Sequence, residues 1–178
     1  MPMNEPTVDR RAITEEWETA RDTLRRLVGS ATPTDFQRPS DGTRWSNEQL
    51  LFHMVFGFMI VLRLLPLVRL FGRLPSGFGR VYARLLDAGT PVFNAINYCG
   101  SCAAATVYNR RRMTGKCDRV IAALQRNLAT EPEANFALSM HFPIRWDPFF
   151  TDVMTLEDVY RYPVKHFDFH AEQLTLKT

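Results

Sequence analysis

The sequence predicts an all-α protein, a four-helix bundle with an inserted, partly helical region between its second and third helices. Three observations carry this expectation. Apolar residues recur at spacings of three and four along four separate segments, and no run alternates convincingly in the two-residue rhythm of a strand. Two of those segments open on capping boxes. The connections between the segments are long, as crossovers in a bundle are. A chain of 178 residues, 46% hydrophobic and 12% aromatic, is the size of one domain with a bulky core, and residues 1–178 are read as one domain.

The first helix follows from Ile13, Trp17, Ala20, Leu24, Leu27 and Val28, and Gly29 is its natural stop. A polar loop, "SATPTDFQRPSDGTR", comes next. The second helix starts at Ser46, with Gln49 three residues on as the partner in a capping box. Trp45 and Leu50 stand at the positions of a hydrophobic staple. Its inward stripe is Leu50, His53, Met54, Gly57 and Val61. From about Leu64 to Arg112 the pattern is less regular. Pro66, Gly72, Pro75, Gly77, Gly79, Gly89 and Pro91 interrupt it, and one short helix, "RVYARLLDA", is expected inside. Thr114 can cap a third helix that carries Val120, Ile121, Leu124 and Leu128. The segment "TEPEANFALSMHFPIRWDPFFTDV" reads as a loop. The fourth helix begins at Thr155, with Asp158 completing its box. It presents Leu156, Val159, Tyr160, Pro163, His166, His170 and Leu174 on one side, and Pro163 should kink it.

Charge and cysteine content limit the function. A net charge of +3 is too slight to argue for nucleic acid. Three cysteines make no disulfide framework, so a reducing cytoplasm is the expected setting. Cys99 and Cys102 form a C-x-x-C with no strand before it, and they read as small thiols rather than a redox pair. The opening "MPMNEPTVDRR" lacks the apolar stretch of a leader, and residues 1–8 read as a disordered tail. The run "LLFHMVFGFMIVLRLLPLVRLFG" contains His53, Arg63 and Arg69, which fits a buried helix better than a membrane span. Residues 66–112 mix arginines with large apolar residues. That suits a lid or a contact in a homodimer first, and a surface that touches membrane second.

The chain has four histidines. His166 and His170 lie about one turn apart on one helix face, about 40° apart at 100° per residue, so two imidazoles can meet one cation. His53 stands on the inward stripe of another helix and is the candidate third ligand. Spacing alone leaves two readings open: hydrogen-bonded core histidines, or a metal site of the kind built between facing helices.

The stretches "TRWSNEQLLFHMV" and "DPFFTDVMTLEDVYRYPVKHFDFHAEQL" resemble the DinB-like superfamily of metal-binding four-helix bundles. Trp45, Ser46, His53, His166 and His170 match its pattern position by position. The resemblance implies a divalent metal, zinc or nickel, held by His53, His166 and His170. It also implies one of two chemistries. The first is transfer of a low-molecular-weight thiol, bacillithiol or mycothiol, to a small-molecule substrate. The second is hydrolysis by metal-activated water. The arginine-rich composition suits mycothiol. No acidic residue sits beside a ligand by helical spacing, which favours thiol transfer. A bundle whose metal is structural or absent, and which binds a partner or membrane, is the alternative of another class. Gln49, Tyr162 and Gln173 are candidates to orient the rings. Arg44, Asn94, Asn97, His141 and Arg145 are candidates to meet substrate, with Arg110, Arg111 and Arg112 further cations for an acidic co-substrate.

Overall fold

The structure is a computed structural model of the chain and describes residues 7–176. Seven α-helices stand among those residues: α1 (Arg10–Ser30), α2 (Pro33–Gln37), α3 (Asn47–Phe71), α4 (Ser76–Ala88), α5 (Thr90–Val107), α6 (Met113–Thr130) and α7 (Leu156–Ala171). The expected tail at 1–8 lies largely outside them. Val8 is described, and its N–H donates to Glu133 Oε1 at 2.7 Å.

The bundle is made by α1, α3, α6 and α7, with α3 packed on α7 and α6, and α1 on α6 and α7. The apolar stripes meet inside it. Ile13, Trp17 and Leu24 of α1, Val61 and Leu65 of α3, Ile121 and Leu124 of α6, and Val159 of α7 are all buried. Trp17 sends its indole N–H to the Tyr160 carbonyl at 3.1 Å, so its polar atom is satisfied in the core. The α3 helix is long and apolar enough to cross a membrane, and here just over half of its apolar stretch is buried inside the bundle.

Both capping boxes form. Ser46 accepts from the Gln49 N–H while Gln49 accepts from the Ser46 N–H, and Thr155 and Asp158 do the same for α7. Thr114 caps nothing: α6 starts at Met113, with Arg112 at the cap position and no side-chain bond there. The first polar loop contains the short helix α2, which Thr32 and Asp35 close with a third capping box.

The region expected to be irregular is helical almost throughout. The α3 helix runs through Pro66 to Phe71. Pro66 lies on the exposed side, where water can satisfy the carbonyl left without its N–H. Pro75 precedes α4, Gly89 ends it, and Pro91 sits in the first turn of α5, where a missing N–H costs nothing. The loop before α7 contains two short antiparallel strands, β1 (Ser139–His141) and β2 (Val153–Thr155), with Met140 opposite Met154. The α7 helix is continuous through Pro163 and ends at Ala171, so Leu174 packs on the core from beyond the helix.

Candidate metal centre

Two helices and two C-terminal turns build the site. His53 stands in the second turn of α3, whose start is fixed by the Ser46 box. His166 and His170 stand in the last two turns of α7, which runs beside it. Asn47 is fully buried and ties the end of the chain to this corner. Its Nδ2 donates to Thr175 Oγ1 at 3.0 Å, and its Oδ1 accepts from the Thr175 N–H at 3.1 Å. The Gln173 carbonyl accepts from the Asp41 N–H at 2.8 Å, so the residue after α7 is held as well.

One ligand atom from each of His53, His166 and His170 lies within 4.8 Å of the others. The ring centroids are 4.9 Å apart for His53 and His166, 4.9 Å for His53 and His170, and 4.6 Å for His166 and His170. His170 Nδ1 lies 2.7 Å from Gln173 Oε1 and donates to it, which leaves Nε2 with a free lone pair. His53 Nδ1 lies 3.2 Å from Ser101 Oγ of α5, which frees its Nε2 in the same way when the hydroxyl accepts. His166 Nδ1 is buried and has no hydrogen-bond partner among the described residues.

Burial sets the charge state. It pushes His53 down to about 3, with the neighbouring His170 adding to the effect. It pushes His166 well below the ordinary histidine value, and His53 and His170 act in the same direction. His170 is also lowered by burial, with Gln173 and Asp147 opposing. Three neutral, converging imidazoles are what a divalent cation needs from nitrogen donors, and an orphaned buried ring nitrogen is costly without one. The residues therefore fit a metal ion.

The family model for the DinB superfamily matches residues 16–174. This chain belongs to the DinB superfamily. None of the curated proteins and none of the solved structures compared matches it. The DinB superfamily is a metal-binding family, and the three-histidine cluster is this member's candidate centre.

The remaining candidates divide. Gln173 Oε1 accepts from His170 Nδ1 at 2.7 Å. Gln49 instead serves the helix cap, its Oε1 accepting from the Ser46 N–H at 3.0 Å. Tyr162 reaches the site through a carboxylate, donating to Asp147 Oδ2 at 2.8 Å. Asn97 lines the cavity in front of the histidines, whereas Asn94 does not. Arg44 lies over the Tyr98 ring at 4.4 Å and Arg110 over Phe36 at 5.6 Å, neither in the cavity wall. Arg145 is exposed and gives its backbone N–H to Asp87. His141 pairs with Asp152 at 2.9 Å in a separate polar depression beside Arg80 and Arg84, so it does not line the cavity in front of the three histidines.

Two contributors were not legible beforehand. Ser101 comes from α5, where no helix was expected. Asp147 comes from the loop "DPFF". Its Oδ1 accepts from the Phe149 N–H at 2.9 Å, making the turn, and its Oδ2 lies 3.8 Å from His166 Nε2. Burial raises its pKa, against the Phe149 and Tyr162 hydrogen bonds and His170. In the DinB member described here, the carboxylate missing beside the ligands in sequence is therefore present in space.

Proposed function

We propose that this chain is a metal-dependent enzyme that transfers a low-molecular-weight thiol, of the mycothiol kind, to a largely apolar small molecule, the thiol sulfur forming a new C–S bond as a leaving group departs from that carbon with the thiol's proton. The observation that carries the reading is the place of the histidines, at one end of a cavity of about 360 Å³ with largely apolar and aromatic walls. A zinc or nickel ion held by His53, His166 and His170 would keep its full charge and, when bound, lower the pKa of a thiol or of water. The chain does the rest. Ser101 and Gln173 hold two rings in the ligating tautomer, and Trp45, stacked on His53 with ring centroids 4.3 Å apart, shields it. The apolar walls orient the substrate and exclude water.

Hydrolysis is the second reading, and Asp147 favours it. A partly buried carboxylate with a raised pKa beside His166 is suited to take a proton from water at one of its oxygens. Free cysteines at Cys99, Cys102 and Cys117 agree with a cytoplasmic setting. Exposed Phe78, Val81, Leu85, Val92 and Ile96 on α4 and α5 support a homodimer.

The test is elemental analysis of protein purified without a histidine tag, followed by assays of thiol transfer with mycothiol, glutathione and bacillithiol, and of ester and amide hydrolysis. Metal-dependent thiol consumption supports the first reading. Metal-dependent hydrolysis alone, lost in Asp147→Asn, overturns it in favour of the second. Protein that takes up no metal removes both and leaves a bundle that binds a partner or a membrane surface.

A further inference from the structure

The cavity extends well beyond what an ion needs. His53, Gly57, Ile60, Leu64 and Leu67 follow one another along its α3 wall at steps of three and four residues. His53 and Arg63 are ten positions apart on α3, which is about 15 Å along the axis at 1.5 Å per residue. The opposite wall comes from α4, α5 and the loop before α7. Phe93 and Trp146 stack there with centroids 3.8 Å apart and planes within 6°. At ~30 Å³ per atom, the share of a water molecule, 360 Å³ holds on the order of a dozen non-hydrogen atoms.

The charged groups of the wall stand apart from one another. Asp147 is its one carboxylate and lies beside His166. Arg63 is its one lysine or arginine, exposed at the rim, and its guanidinium makes no hydrogen bond or ion pair among the described residues. Between these positions the α3 wall is apolar, so a charge part-way along it would be desolvated without a partner.

We propose that the cavity takes an elongated lipophilic molecule bearing one anionic group, its reacting end at the histidines and its anionic group at Arg63. The reacting end rests on the function proposed above; the shape and polarity of the molecule rest on the cavity alone.

The probes are dodecanoate and dodecanol, titrated below their aggregation limits into metal-free protein and followed by tryptophan fluorescence. Trp45 and Trp146 line the cavity and report on its filling. Both probes should bind. Affinity should rise roughly fourfold per added methylene and level off near a dozen carbons. Dodecanoate should bind up to about fivefold more tightly than dodecanol at low salt, as befits an exposed ion pair. That preference should fade with added salt and vanish in Arg63→Gln. Arg63→Glu should prefer dodecylammonium, and Ile60→Trp, which fills the channel, should weaken every probe. A carboxylate preference that survives Arg63→Gln, or that needs the metal, means the head group enters first and overturns the proposal. So does probe binding that Ile60→Trp leaves unchanged, or no binding at all. Because these titrations need neither metal nor turnover, failure here leaves thiol transfer standing, and absence of turnover leaves the binding result standing.

Discussion

His53 Nδ1 meets Ser101 Oγ at 3.2 Å, joining a candidate ligand on α3 to a hydroxyl on α5. The inserted region thus contributes a contact to the candidate metal centre. Partners of this kind fix ring orientation, and their loss typically costs about 10- to 100-fold in metal affinity. Ser101→Ala should lose affinity in that range and bind metal with unchanged stoichiometry, as read by competition with a chromophoric chelator.

His170→Ala should remove the metal while the bundle stays folded. His170 is half-buried in the last turn of α7, and the core stripe of that helix lies before it. Elemental analysis should find little zinc or nickel, with far-ultraviolet circular dichroism unchanged. Equal metal content in the variant and the parent would remove the assignment.

Gly57 sets how closely α3 and α7 approach. A Cβ there would lie 2.6 Å from His166 Nδ1. Gly57→Ala should therefore displace the ring and lower metal affinity by at least about tenfold, even though alanine suits a helix better. Gly100→Ala is the contrast. Nothing lies within 4 Å of that position, so the exchange should stabilise the fold by about 0.5–1 kcal/mol in urea melts and leave metal binding alone.

A buried ion pair away from the site should control acid stability. Glu131 is buried and receives Arg69, the Tyr160 hydroxyl at 2.9 Å and Asn135 Nδ2 at 2.6 Å. Burial alone would raise its pKa, but these hydrogen bonds outweigh it and hold the carboxyl below its ordinary 4.5. The folded form therefore binds its proton less readily than the unfolded chain does. The resulting stability is full above about pH 4.5 and is lost as pH falls through the folded value. Glu131→Gln should be less stable by about 2 kcal/mol at pH 7, and the gap should narrow progressively as the pH is taken below 4.5. Denaturant melts of parent and variant over a descending pH series read this directly.

The helices that carry the three clustered histidines were legible because their signals are local. Ser46 with Gln49 and Thr155 with Asp158 announce where α3 and α7 begin, and helical spacing then puts His53, His166 and His170 on inward faces. The inserted region is hard to read because proline and glycine signal a break whether they interrupt a helix or merely separate two of them. Pro75 separates α3 from α4, Gly89 and Pro91 mark the boundary of α4 and α5, and Pro66 is carried on the exposed side of α3. Thr114 had the chemistry of a cap, but the helix had already begun one residue earlier. Ser101 and Asp147 could not be found by spacing, since each reaches its histidine from another element across a tertiary contact. His141 had the right chemistry, and its strand carries it to Asp152 instead.

The α5 helix spans 18 residues without one charged side chain, and only Thr90, Ser101 and Ala105 are buried along it. Little apolar contact anchors it, so in amide exchange its protection should fall near the bottom of the molecule's range, far below that of α3. Each such opening withdraws the Ser101 hydroxyl from its imidazole and lifts Phe93 and Asn97 from the chamber wall. Access for an ion or an oily guest would then be timed by the breathing of a single loosely seated rod, with the bundle beneath it standing still.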